Sequence, residues 1–150
     1  MTVLNYDHYD MPIIESETEP GEYAIAFSDN IANNAAKQYI EDSLWAFNTD
    51  FLATQTDMPV EIYKALQPQC EDSNDAILKL VEKTCGLDSF VSAAISADGR
   101  GHFISNYDSE ETCLTDMSQE FQNEIRQLLE DGNLECDDFN PSDCYVYRIN

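Results

Sequence analysis

Asp98, Arg100 and His102 occupy alternate positions in Ala97-Asp-Gly-Arg-Gly-His102, the only place in the chain where an acid, a cation and an imidazole stand this close together. A Gly-rich turn of this kind can offer backbone N–H groups and a guanidinium to a phosphate. The spacing matches no phosphate-binding loop, however, because GxxxxGK[ST] is absent and a lone Gly-x-Gly carries little information. Glycine pairs commonly serve tight turns. The reading taken is a hairpin in which Phe90–Ser96 and His102–Ser105 flank the turn and Arg100 neutralises nearby carboxylates.

Other chemistry is weakly indicated. Asp108, Glu110 and Glu111, and the run from Asp137 to Asp143, supply hard oxygen ligands without the order of an EF-hand. Five cysteines, at 70, 85, 113, 136 and 144, form no CxxC pair and have no close histidine, so neither zinc nor a disulfide framework is expected. No cofactor, metal or catalytic residue is assigned.

Charge gives the sharper signal. Thirty Asp and Glu against seven Lys and Arg leave a formal net charge of −23. A surface this acidic repels nucleic acid and anionic membrane and favours proteins whose working surfaces are basic. The 43% hydrophobic and 11% aromatic content rules out an acidic disordered chain. Carboxylate surfaces also suit halophilic proteins, which lose stability without molar salt. No apolar stretch reaches the ~20 residues that span a bilayer, and the N-terminus lacks a basic region followed by an apolar run. A cytoplasmic protein with reduced thiols is expected.

The acids are unevenly placed. A helix is expected from Asp116 to Asp131, capped by Thr115 or Asp116 and stopped by Gly132, with Met117, Phe121, Ile125, Leu128 and Leu129 facing a core. Asp116, Glu120, Glu124, Glu130 and Asp131 then gather on one flank, and Glu135, Asp137, Asp138 and Asp143 follow. Like charges four residues apart weaken a helix by a few tenths of a kcal/mol, so stability does not explain their placement. Four residues advance a helix by ~6 Å, comparable to the phosphate spacing along a nucleic-acid strand.

These residues need a scaffold. Residues 1 to 28 hold acids and no Lys or Arg, with Pro12, Pro20 and Gly21 interrupting them, and read as an irregular arm ending in an edge strand near Glu22–Phe27. A helix from Ser28 or Asp29 to about Ala53 would bury Ala36, Ile40, Leu44, Phe47 and Phe51, with Trp45 off that stripe as either a partner anchor or a packed residue. A short helix near 58–66, another after Ser73 stopped by Gly86, and a closing strand near 144–149 complete the pattern. The fold class expected is α+β, with a small antiparallel sheet of three or four strands against three or four helices, in one domain over 29–150.

Ala36-Lys-Gln-Tyr-Ile-Glu-Asp-Ser-Leu-Trp45, the stretch Pro59–Glu71, Ser96-Ala-Asp-Gly-Arg-Gly-His-Phe-Ile-Ser-Asn-Tyr-Asp108 and Tyr145-Val-Tyr147 resemble small acidic proteins of unknown function from tailed phages and mobile elements. In physical character the chain resembles phage inhibitors that mimic DNA, of the antirestriction and anti-CRISPR kind. The resemblance implies an inhibitor that binds a basic nucleic-acid-binding host protein, with Asp116, Glu120, Glu124, Asp131, Glu135, Asp137, Asp138 and Trp45 at the contact. Alternatives are an immunity or antitoxin-like binder of one basic toxin or nuclease, or a phage accessory protein.

Overall fold

The computed structural model describes residues 1–150, except for the side chain of Asp7. The described residues form an α+β structure. Five strands, β1 (Thr2–His8), β2 (Met11–Glu15), β3 (Glu22–Ala26), β4 (Thr112–Cys113) and β5 (Tyr145–Arg148), make one antiparallel sheet in the order β1-β2-β3-β5-β4. Six helices of seven residues or more are α1 (Asp29–Asp42), α2 (Thr49–Thr56), α3 (Val60–Leu66), α4 (Asn74–Lys83), α5 (Leu87–Asp98) and α7 (Gln119–Glu130); α6 (Arg100–Ile104) is a single turn. Strands and helices both outnumber the expectation.

Two compact units divide the chain: residues 1–36 with 99–150, and residues 37–98. The first holds the sheet. Tyr23 and Ile25 of β3, Val146 of β5 and Ile14 of β2 bury one side against Phe121, Ile125 and Leu128 of α7. Tyr23 and Phe121 meet edge to face at 5.2 Å. On the opposite side Ala24 and Ala26 alternate with them and are fully buried, in register with Tyr147 and Tyr145. Such two-sided burial marks β3 as a central strand.

The irregular arm is therefore corrected. Residues 1 to 28 supply three of the five strands, and β3, expected at an edge, lies in the middle of the sheet. The prolines do not forbid this: Pro12, the second residue of β2, falls at the register shift between the Asn5–Ile13 and His8–Met11 pairs, and Pro20 and Gly21 sit in the connection to β3.

Residues 37–98 are helical. Ile40, Leu44, Leu52, Tyr63, Ile77, Val81, Phe90 and Ala94 are fully buried there. The long helix expected to reach Ala53 ends at Asp42; Leu44–Ala46 form a 3₁₀ turn, and Asn48 caps α2 by accepting the N–H groups of Asp50 and Phe51. An Asn that satisfies two orphan donors starts a new helix where a simple apolar stripe runs straight through. Phe47, Phe51 and Phe90 then pack as a ring cluster at 5.3–6.0 Å.

The hairpin around the Gly-rich turn does not form. Its first strand is α5 and its second is α6. Phe90, Val91 and Ala94 are buried at helical spacing. Gly99, at φ +84, breaks the helix between the two segments.

Candidate functional site

Arg100 is 12% exposed and sits in a closed set of partners. Its Nε and Nη2 donate to the two carboxylate oxygens of Glu111 at 2.8 and 2.9 Å, and Nη1 donates to Asp29 at 3.0 Å and to Asn33 at 3.1 Å. The guanidinium also lies over the Tyr145 ring, 4.5 Å from its centroid, while the Tyr147 hydroxyl donates to Glu111 at 2.5 Å. Burial works against the charged guanidinium, but the bonds to Glu111 and Asp29 outweigh it and raise the Arg100 pKa. Burial, reinforced by Glu111, also raises that of Tyr147. Arg100 thus joins α1, β5 and the segment before β4.

This arrangement is structural cement. Neither Asp98 nor His102 partners Arg100; both are exposed, and Asp98 belongs to the helical unit. The expectation that Arg100 neutralises carboxylates describes its contacts; the hairpin around it does not. Asp108 is likewise occupied, accepting from the Ser105 hydroxyl at 2.7 Å and the Glu110 N–H at 3.0 Å. Among the described residues, no group of three or more His, Cys, Asp or Glu is placed to hold a metal ion. All five thiols are free, and burial pushes Cys144 up to about 12.

Helix α7 forms where the apolar spacing places it, with a different start. Ser118 is the cap, accepting the Phe121 N–H at 3.1 Å, and Asp116 lies before it in a 3₁₀ turn. Phe121, Ile125 and Leu128 are buried, with Met117 and Leu129 packed at their margin. Glu124 leaves the acidic flank. Its side chain is 13% exposed and accepts from the Ser16 hydroxyl at 2.8 Å, the Glu17 N–H at 2.8 Å and the Thr18 hydroxyl at 2.9 Å. Burial alone would raise its pKa, but these donors hold it below the usual carboxylate range. Glu124 fastens the β2–β3 connection to α7.

The remaining acids stay open. Asp116, Glu120, Asp131, Glu135, Asp137 and Asp138 are all exposed, and none forms a salt bridge among the described residues. Glu130 and Asp131 stand at the C-terminal end of α7, with no basic residue in its last turn. Negative charge there opposes the helix dipole. Trp45 is half-buried in the helical unit, where its backbone N–H donates to the Asn74 side-chain oxygen at 3.2 Å and the Asn74 amide nitrogen donates in turn to the Glu41 carbonyl at 2.8 Å.

A cleft of about 200 Å³ escaped the sequence reading. Glu19, Tyr23, Asp108, Glu110, Thr112 and Arg148 line it, from three separate stretches of chain. Arg148 stacks on Tyr107 at 3.8 Å and donates to the Asn150 carbonyl at 3.2 Å. No local signal joins such dispersed residues. No protein-family model, curated protein or solved structure matches this chain.

Proposed function

We propose that this chain is an acidic inhibitor that occupies the basic nucleic-acid-binding surface of a host defence or DNA-handling protein, in a phage or mobile-element setting and in the host cytoplasm. The observation that carries the reading is the set of six exposed carboxylates, Asp116, Glu120, Asp131, Glu135, Asp137 and Asp138, left without cationic partners among the described residues. Two cations of the same unit, Arg100 and Arg148, are engaged elsewhere. A surface arranged this way lowers its own stability through self-repulsion and gains by meeting Lys and Arg. Glu124 enters as the residue that holds the flank in place, and Trp45 as a separate candidate anchor.

No described helix is long and apolar enough to cross a membrane. Affinity capture from host lysate, with and without competing DNA, tests the reading. A captured protein that DNA and added salt both displace supports it. Retention at high salt, or unchanged capture by a Glu120→Lys/Glu135→Lys/Asp137→Lys/Asp138→Lys variant, sinks it. The exposed Leu4 and Tyr6 favour a second reading, an immunity-type binder of one basic toxin or nuclease, because apolar anchors supply single-partner specificity. Capture of one protein, indifferent to DNA, would select it.

A further inference from the structure

Four residues of the cleft share one face of the sheet. Tyr23 of β3 stands opposite Arg148 of β5, and Thr112 of β4 stands opposite Val146. Cross-strand partners and alternate residues of one strand point the same way, so all four lie on the side that α7 covers. Tyr23 and Val146 are buried, and with Met117, just before the α7 cap, they give the cleft an apolar surface. Glu19 from the β2–β3 connection, and Asp108 and Glu110 from the segment before β4, border it. Its volume of about 200 Å³ is several times the roughly 30 Å³ that a water molecule occupies in the liquid.

Shape and charge together decide what the cleft accepts. Among the described residues, none of its three carboxylates forms a salt bridge. Asp108 is bonded through one oxygen only, to the Ser105 hydroxyl and the Glu110 N–H. Arg148 lines the same cleft but lies over the Tyr107 ring and donates to the Asn150 carbonyl, so three anions stand against one cation. The three carboxylates are not placed to hold a metal ion together. An acidic border beside an apolar surface suits a side chain with an aliphatic stem and a cationic head. The geometry points to this cleft as the seat of one arginine side chain of the partner, its stem on Met117 and Val146 and its guanidinium between Glu19 and Glu110. A planar fork of five donors can bond carboxylates on separate walls, which an ammonium does less well. Tyr107, 58% exposed at the margin, adds an aromatic contact of the kind that interface anchors use. This rests on the reading of a basic partner and adds an anchor apart from the acidic flank of α7.

The test titrates the full ¹⁵N-labelled chain, at low salt, with a short capped peptide containing one Arg between glycines. Two further peptides replace that Arg by Lys or by citrulline, its uncharged isostere. The expected result is saturable shifts of the Glu19, Glu110, Thr112, Met117 and Val146 amides with the Arg peptide. The citrulline peptide should bind more weakly by roughly tenfold or more, the loss expected when hydrogen bonds between charged groups become neutral on one side. A Glu19→Gln/Glu110→Gln variant should bind the Arg peptide roughly fivefold more weakly, since two partly exposed ion pairs are removed. If that variant does not fold, the peptide series on the unaltered chain decides. Equal binding of the citrulline or the Lys peptide, or the absence of saturable shifts around the cleft, overturns the proposal. Shifts confined to 120–138 overturn it while leaving the basic-partner reading intact, and capture from lysate judges that reading separately.

Discussion

Glu111 holds Arg100 through both carboxylate oxygens, at 2.8 and 2.9 Å, and the same carboxylate accepts the Tyr147 hydroxyl from the fully buried side of β5. One side chain therefore fixes a cation and a core tyrosine together. Arg100→Met is expected to destabilise the chain by about 2–4 kcal/mol, because it leaves Glu111 desolvated without its countercharge. Arg100→Lys should recover only part of this, since an ammonium cannot reproduce the two-point contact. Urea unfolding of both variants provides the measurement.

Glu124 should make stability depend on pH in a defined direction. Its pKa is lowered in the folded chain, so its contribution is present above the unfolded carboxylate value and is lost as pH falls through the folded one. Relative to Glu124→Gln, the unaltered chain should be more stable by about 1.5–3 kcal/mol at neutral pH, the range for hydrogen bonds to a charged group. From about pH 5 downward the gap should close. Parallel urea titrations at neutral and acidic pH would detect it; a gap that widens in acid would refute the role.

Two neighbouring glycines should respond differently to alanine. A Cβ on Gly101 would lie 2.5 Å from the Glu110 carbonyl carbon and 2.7 Å from the Glu111 N, against backbone that cannot swing aside. Gly101→Ala is expected to cost more than about 2 kcal/mol. At Gly99 a Cβ meets open space, and only the positive φ is penalised. Gly99→Ala should cost about 1 kcal/mol. Their thermal midpoints should rank accordingly.

Charge reversal at the end of α7 should separate stability from binding. Glu130→Lys/Asp131→Lys replaces two anions at the negative end of the helix dipole and should stabilise the chain by roughly 0.5 kcal/mol per site. Partner capture should weaken in the same variant. Gain of stability with unchanged capture would remove Asp131 from the contact.

Thiol labelling should follow burial. Cys70 is exposed and should react with iodoacetamide in the folded chain, whereas Cys144, buried and pushed up to about 12, should react only on unfolding. Mass spectrometry of briefly labelled protein distinguishes them.

Sequence alone determined what depends on neighbours a few residues apart. The buried stripe of α7 was legible because Phe121, Ile125 and Leu128 recur at helical spacing, and β5 because Tyr145–Tyr147 are β-branched or aromatic. The acidity and its concentration after residue 113 were equally plain. Local signals failed where two states share one pattern. Phe90-Val91 begins an apolar run short enough for a strand, and its Ala- and Ser-rich remainder became α5 because its buried positions repeat as a helix. β1 was hidden because an edge strand needs no alternating apolar face.

The three-dimensional structure decided which charges are spent. Nothing near Arg100 in sequence names Asp29 or Glu111 as its partners, which lie 71 and 11 residues away. Glu124 looks like Glu120 along the chain, yet contacts 106 to 108 residues distant remove it from the open acidic surface. Long-range hydrogen bonds follow from how elements pack, and packing depends on the whole chain at once. Sequence set the amount and rough position of the negative charge; the fold sorted structural carboxylates from those left facing solvent.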